Sequence, residues 1–326
     1  MENGSTYSGQ DLAILVPTKD RPGKIRNLFH SIVDQTILCQ RVIVVDGGDS
    51  IRELVMSFSH ILPVEYRPCS PPGQIRQRNM GIAQLDERTS LVALLDDDIV
   101  LFPTALEEMI GFWNACEPQT AGVSFNIVNM KPERHTWWTG LMGVSGPLPG
   151  RVLSSGRNTP IVSVSDDWPT QWVSGGATVW RQEILKDHSH AERNAKWAPT
   201  EDVMFSYPIG KEYPLYVCAD AQVRHEHVYD LAGKRKFIYY GRTEALWRFK
   251  FVESHHELSR TAFLWMQLST IAARIVAGSV SLQGRHFQFA FGQIEGVLTG
   301  LLALIRGRDL ASVLEEPPVA KPPGED

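Results

Sequence analysis

The chain has only four cysteines in 326 residues, Cys39, Cys69, Cys116 and Cys218, and none forms a Cys-x-x-Cys pair. That scarcity excludes a zinc knuckle, a dithiol redox motif and a disulfide-built scaffold, and points to reduced thiols in a cytosolic protein. Basic charge is also short, with 32 Lys and Arg against 37 Asp and Glu for a formal net charge of −5. Without a basic excess no nucleic-acid partner is expected, although a small basic site for one nucleotide is not excluded. The first basic residue, Lys19, follows the apolar run Leu12–Val16, so no signal peptide is expected. The longest apolar stretches, Thr261–Ala273 and Phe287–Ile305, are bounded by Arg260 and Arg274 or interrupted by Glu295. Both are expected to be poor membrane spans, which need about 20 predominantly apolar residues.

What is present is an ordinary globular composition, 43% hydrophobic and 21% charged, at a length suited to one large α/β unit or two domains. Short β-branched runs at Leu12–Val16, Arg41–Asp46, Val64–Arg67, Ser90–Leu95 and Gly122–Ile127 read as strands. Helical spacing fills the intervals Lys24–Asp34, Ile51–Phe58, Ile75–Leu85 and Pro103–Cys116. This alternation predicts an α/β fold with a mostly parallel sheet flanked by helices, because parallel neighbours need crossover connections. A Gly/Pro/Trp-rich stretch follows over residues 131–171, and a loop of that length in a compact domain is more often functional than idle. Order is predicted to resume at Trp172–Ser174 and Ala177–Arg181, with a helix at Glu201–Tyr207 and strands near Leu215–Cys218 and Gln222–His227. The expected organisation is a catalytic domain over 1–230, with a nucleotide-binding half at about 10–130 and an acceptor-binding half at about 131–230. C-terminal amphipathic helices over 231–310 and a disordered Pro-rich tail over 311–326 complete it.

Ligands in parallel sheets bind beyond the carboxyl ends of the strands, and polar residues follow the runs there. Asp96-Asp97-Asp98 closes the run Leu91–Leu95; three such carboxylates repel unless a cation compensates, and Mg²⁺ or Mn²⁺ bridges carboxylates to phosphates. A solvated acidic turn before Pro103 is the plain alternative. Asp46 ends the second strand and suits a nucleobase or ribose, or else a turn before Gly47-Gly48. Arg76, Arg78 and Asn79 open the helix before the acidic strand, where guanidinium groups suit a diphosphate, or form a solvated face. Glu201-Asp202 is a candidate base pair or a helix-start acidic pair favoured by the macrodipole. His225 and His227 alternate on one strand face as candidate metal or structural residues. Trp172 is a candidate sugar-stacking or core residue.

The ordered set Pro17-Thr18-Lys19-Asp20-Arg21, Val44-Val45-Asp46-Gly47-Gly48, Arg78-Asn79-Met80-Gly81, Leu95-Asp96-Asp97-Asp98, Ser174-Gly175-Gly176-Ala177, Thr200-Glu201-Asp202 and Ala221-Gln222-Val223-Arg224-His225 resembles a family 2 glycosyltransferase with a GT-A fold. The likeness covers about Leu12–His227. It implies an inverting enzyme that uses a nucleotide-diphosphate sugar and Mn²⁺ or Mg²⁺. By that resemblance the donor would meet Pro17, Thr18, Asp20, Arg21, Asp46, Arg76, Arg78, Asn79, Asp96 and Asp97. The metal would meet Asp96, Asp98 and His225; the acceptor or diphosphate would meet Trp172, Ser174, Gly175 and Gly176; and Asp202, beside Glu201, would be the base. Two departures stand out. Lys19-Asp20 replaces the family's common aromatic-Asn pair, and the Gln-x-x-Arg-Trp motif of processive members is missing from Gly241–Arg248, which implies single-sugar transfer.

The expected function is therefore transfer of one sugar to a glycan or lipid-linked acceptor in cell-surface polysaccharide or glycolipid assembly. The expected place is the cytoplasm, peripheral on the inner face of the cell membrane. Helices after Glu257 would either lie on that membrane, pack on the catalytic domain, or make a homodimer. The competing readings are a sugar nucleotidyltransferase, whose Gly-rich nucleotide loop is missing after the first strand, and a non-catalytic carbohydrate- or nucleotide-binding scaffold. A glycoside hydrolase is weaker still, since it needs a carboxylic acid at the leaving oxygen and no metal-binding cluster.

Overall fold

The computed structural model describes residues 6–188, 190, 199–226 and 236–314. β1 (Leu12–Thr18) is buried at every position, as a continuous apolar run covered on both faces requires. α1 (Pro22–Val33) follows, with Pro22 in its first turn, where the missing N–H costs nothing. The alternation continues through β2 (Arg41–Asp46), α2 (Arg52–Ser57), β3 (Val64–Pro68), α3 (Gln74–Ile82) and β4 (Leu91–Leu95). Then come β5 (Ile99–Leu101), α4 (Ala105–Ala115), β6 (Gly122–Ile127), α5 (Trp137–Leu141), β7 (Trp168–Thr170), β8 (Ala177–Arg181) and α6 (Gln182–Asp187). α7 (Glu201–Glu212) leads into β9 (Leu215–His225), and α8 (Lys236–Glu253), α9 (Arg260–Ser281), α10 (Gly284–Ile305) and α11 (Ala311–Leu314) complete the chain.

The strands form one sheet in the order β3-β2-β1-β4-β8-β6-β9-β5, with β7 beside β9. β3, β2, β1 and β4 are parallel neighbours, β8 enters antiparallel between β4 and β6, and β9 runs parallel to β6. Only β5, β7 and β8 oppose the common direction, so the sheet is mostly parallel and flanked by helices, as the alternation predicts. Thr18 is in register with Asp46, which brings the carboxyl ends of β1 and β2 to one edge, and Asp96 follows β4 at the same edge.

Several details differ from the sequence reading. Trp172–Ser174 is not a strand; β7 forms earlier, at Trp168–Thr170. The two strands expected after Leu215 are one, β9, with a register shift opposite Phe125 and Asn126. β5 is too short to show a period, and α5 lies inside the stretch read as irregular. The apolar stretches Thr261–Ala273 and Phe287–Ile305 lie in longer helices than the runs suggest: α9 and α10 each reach 22 residues, with windows of mean hydropathy 1.3 and 1.4. Both are long and apolar enough to cross a membrane by those measures. His227 and the tail from Glu315 lie outside the described residues.

Candidate active site

Asp46 is fully buried at the end of β2, where its Oδ1 accepts from the Gly48 amide at 2.8 Å and its Oδ2 accepts from the Tyr66 hydroxyl at 2.9 Å. Burial and the adjacent Asp46 carboxylate push the Tyr66 hydroxyl up to about 12. Tyr66 was not apparent in the sequence, because its partner lies on a neighbouring strand 20 residues away. Gln77, equally unmarked, donates from Nε2 to the carbonyls of Thr18 (2.7 Å) and Val45 (2.6 Å), clamping the ends of β1 and β2 together. Pro17 lies within β1, opposite Val45. Asp20, at φ 52°, accepts from Ser50 at 3.0 Å and fills the space that a side chain on Gly48 would need.

The acidic triplet divides between two sides. Thr18 Oγ1 donates to Asp97 at 2.6 Å, and the Arg21 guanidinium forks to Asp97 (2.5 Å) and Asp98 (3.0 Å). Burial raises Asp97 to about 6 despite these partners. Burial also works against Asp98, but His225 Nε2 at 3.0 Å and Arg21 outweigh it and hold that carboxyl at about 2. Asp96 turns the other way, accepting from Arg78 Nη2 at 2.9 Å and from Gln74 Nε2 at 3.1 Å.

Arg78 is the hub. Its side chain is 2% exposed, and its other nitrogen, Nη1, donates to Glu201 at 2.8 Å. One buried guanidinium thus joins Asp96, just beyond β4, to the start of α7. Burial disfavours the charge, but Glu201 and Asp96 more than restore it. Glu201 Oε1 also accepts from His190 Nδ1 at 2.7 Å, and that ring stacks on Phe205 at 3.7 Å. Burial would raise Glu201, yet Arg78 and His190 hold it at about 2. Asp202, the next residue, accepts only from the Val203 amide among the hydrogen bonds seen, and burial together with the charge of Glu201 lifts it to about 7. Both carboxylates lie deep in the fold yet keep a partly accessible rim.

Gly175 and Gly176 prove to serve the protein's own side chains. A Cβ on Gly176 would lie 2.2 Å from the Asp96 carboxylate, and one on Gly175 would lie 3.0 Å from Arg78 Nη1 and 3.3 Å from Asp202 Cβ. The Gly176 carbonyl also accepts from the Asp96 amide at 2.9 Å. Ser174 is drawn into the same turn through its carbonyl, which accepts from Thr178 Oγ1. Three residues expected to contact substrate have protein partners of their own. Trp172 is 7% exposed and packs with Val203, Tyr207 and Phe251, its indole N–H donating to the Thr159 carbonyl at 3.1 Å, so a core role replaces sugar stacking. Asn79 donates to the His190 carbonyl at 2.8 Å. Arg76 donates to the Pro71 carbonyl at 3.3 Å and, with Asn79, lines a groove of about 450 Å³ beside Pro68, Cys69, Ser70 and Met80.

Arg248 of α8, whose charge reaches Asp202, is buried and donates to the Gly156 carbonyl at 2.7 Å, with burial lowering it to about 10. It and Arg157 share Glu244, so α8 is stitched to the long loop after β6.

Residues 13–189 match the family model described as Glycosyl transferase family 2. The chain belongs to that family. Among curated proteins it is similar to the minor teichoic acid biosynthesis protein GgaA of Bacillus subtilis (strain 168), 21% identical over 200 residues, covering 59% of this chain. The chain spans 42% of the length of that relative. Among solved structures, S. aureus TarS 1-349 in complex with UDP-GlcNAc superimposes with a TM-score of 0.50 at 15% identity, covering 91% of this chain and 92% of that one. The mannosyltransferase PcManGT of Pyrobaculum calidifontis, in complex with GDP-Man and Mn²⁺, gives a TM-score of 0.55 at 13% identity, covering 91% and 88%. These likenesses show a shared GT-A-like fold.

The family's use of a divalent cation can be weighed against the side chains present. Among the described residues no three His, Cys, Asp or Glu side chains are grouped to hold a metal by themselves. Asp98 and His225 nevertheless converge to 3.0 Å, and Mg²⁺-type sites commonly take one or two protein ligands and complete their shell with substrate phosphates and water. The chemistry of this pair therefore fits a metal–diphosphate complex, with Arg21 as the cation that now offsets the carboxylates.

Proposed function

We propose that the chain transfers a single sugar, with inversion, from a nucleotide-diphosphate sugar to a hydroxyl of a glycan or lipid-linked acceptor. The observation that carries this reading is the Arg78 bridge, which fixes Asp96 on the donor side within one guanidinium of Glu201, the residue beside Asp202. Asp202 is the proposed base. It takes the proton of the acceptor hydroxyl, the acceptor oxygen bonds to the anomeric carbon, and the bond from that carbon to the diphosphate oxygen breaks, releasing the nucleoside diphosphate with its electron pair. A single displacement from the opposite face inverts the centre. Glu201, held charged by Arg78 and His190, is a positioning residue that sustains the proton affinity of its neighbour.

Asp46 and Tyr66 would meet the base or ribose, and Thr18, Arg21 and Asp97 the rest of the nucleotide. Asp98 and His225 would hold Mn²⁺ or Mg²⁺, which when bound offsets the charge on the departing diphosphate, while Asp96 stays with Arg78. The UDP-GlcNAc and the GDP-Man with Mn²⁺ named for the TarS and PcManGT structures support this class of donor. The teichoic acid relative supports an acceptor in cell-surface polymer synthesis, and a cytoplasmic site on the inner membrane face suits a nucleotide-sugar donor. A thermal-shift panel of nucleotide sugars with and without Mn²⁺, followed by product NMR and mass spectrometry, tests the reading. Stabilisation by one donor and an inverted, singly extended product are expected. Consumption of a nucleoside triphosphate would favour a nucleotidyltransferase, binding without turnover would favour a scaffold, and a ladder of additions would overturn single transfer.

A further inference from the structure

In a water-soluble helix pair the apolar stripe faces inward and the polar one outward. α9 and α10 keep an apolar core on the inner side but present a second apolar stripe outward. On α9 the outward positions Trp265, Leu268, Ile275, Val276 and Val280 recur at helical spacing, and Val280 is 82% exposed. On α10 they are Phe287, Phe291, Ile294, Leu298, Leu302 and Ile305, spaced by three or four residues and ending at 80% exposure. Between Arg260 and Arg285, and again between Arg285 and Arg306, neither outward stripe carries a charge. The exposed hydroxyls of Ser279 and Ser281 are bonded to their own helix through the Ile275 and Ala277 carbonyls.

The polar groups lie on the inner side. Gln293 and Gln267, each 2% exposed, hydrogen-bond at 3.1 Å between the two helices. Arg274 folds over the Phe289 ring at 3.7 Å. Glu295 is 40% exposed at the edge of α10, where it pairs with Arg242 of α8 at 3.2 Å. α10 also meets α8 through glycines: a Cβ on Gly292 would lie 2.0 Å from the Ile238 carbonyl oxygen, and one on Gly296 would lie 2.6 Å from that of Arg242. Small residues and buried amides at helix contacts, with large aliphatic and aromatic residues outside, describe helices whose outer solvent is hydrocarbon.

We propose that the outward face of α9 and α10, extended by α5, is a one-sided docking surface for a lipid bilayer. The α5 extension is direct. Trp265 donates its indole N–H to the Leu141 carbonyl at 2.8 Å, and beside Leu141 the mutually stacked Trp137 and Trp138 are exposed. Tryptophans gathered at one end of an apolar face mark headgroup level. At 1.5 Å per residue each helix is about 33 Å long, enough to lay a broad apolar strip along the membrane. Crossing the bilayer is disfavoured, because α8 backs α10 and carries Lys236, Arg242, Glu244, Lys250 and Glu253, which would enter hydrocarbon with it. A second copy of the chain is the lesser fit, since protein interfaces carry a polar rim and about one hydrogen bond per 100–200 Å², and these stripes offer almost no side chain to make one. Arg260, Arg285, Arg306 and Arg308 flank the strip where anionic headgroups would lie.

This surface deepens the transfer reading by supplying the inner-face location, but it rests on the helices alone. Its test therefore needs neither donor nor acceptor. The intact chain is floated with vesicles of phosphatidylcholine, and of phosphatidylcholine with phosphatidylglycerol, at low salt and at about 0.5 M NaCl, where surface electrostatics are screened. The chain should float with both and still float at high salt. Leu268→Glu with Leu298→Glu, two exposed positions remote from the cleft, should weaken partitioning by roughly 100-fold or more while circular dichroism and the melting curve stay native. Failure of the intact chain to float, or equal flotation of the folded double variant, overturns the proposal. So does a dimer in light scattering that the double variant dissolves without any lipid binding, which would assign the face to a second copy. Loss of sugar transfer with flotation intact would count against the function alone.

Discussion

Glu201 and Asp202 are consecutive residues with opposite proton affinities, one held at about 2 by Arg78 and His190 and the other lifted to about 7 by burial and by Glu201 itself. A base that works at neutral pH needs this second value, and a buried carboxylate reaches it when a fixed negative charge stands beside it. A general base acts deprotonated, so with Asp202 in the proposed role kcat/KM should rise with pH and level off above about 7. The Asp202→Asn variant should keep donor affinity while turnover falls roughly 10²–10⁴-fold. A pH–rate profile and donor titration check both; near-native turnover would leave Asp202 a helix-start residue.

Glu201→Gln should move the acid limb of that profile to lower pH, because the neutral amide no longer raises Asp202. Its carbonyl can still accept from Arg78, so folding should survive. An unmoved limb with reduced kcat would mean that Glu201 acts only by geometry.

The same lifted carboxyl should weaken the fold. Its folded proton affinity exceeds the unfolded one, so the native state binds the extra proton and wild-type stability falls as pH rises from about 4 to about 7. Asp202→Asn lacks that loss. Its Tm advantage over wild type should be small near pH 4, grow to on the order of 5 °C by pH 7, and then stay flat in calorimetric scans.

Asp98→Ala removes the partner that His225 and Arg21 share. The Mn²⁺-dependent part of donor stabilisation in thermal shift should vanish, and transfer with it. A full metal-dependent shift in the folded variant would move the cation site elsewhere.

Gly176→Ala places a methyl group 2.2 Å from the Asp96 carboxylate. Asp96 must then leave Arg78, so stability should drop by about 1–3 kcal/mol and donor affinity should fall with it. Denaturant unfolding and donor titration test this; native values for both would show that the turn relaxes.

The strand ends were legible because the chemistry there is local: an apolar run followed at once by Asp46 or by Asp96-Asp97-Asp98 is visible in a short window. The contacts that set the states of those groups were not. Tyr66 reaches Asp46 across neighbouring strands, Gln77 ties two carbonyls 27 residues apart in the chain to one helix, and Arg78 meets Glu201 across 123 residues. Nothing in local spacing marks such pairs. The paired glycines at 175 and 176 were visible, but nothing nearby in the chain marks Asp96 and Arg78 as the groups packed against them. Trp172 was ambiguous by residue type alone, and only the packing of α7 and α8 around it decides for the core.

The glycine contacts between α8 and α10 also bear on how the protein can be handled. Phe249 and Val252 of α8 share a core with Phe263, Met266 and Ala303 of the hairpin, while Arg248 of the same helix holds the loop beside Asp202. Cutting the chain after Val252 would therefore expose the back of the catalytic unit along with removing the apolar strip. A form suited to solution work is better reached by recolouring that strip, position by position, with charged residues, leaving every buried glycine and glutamine in place.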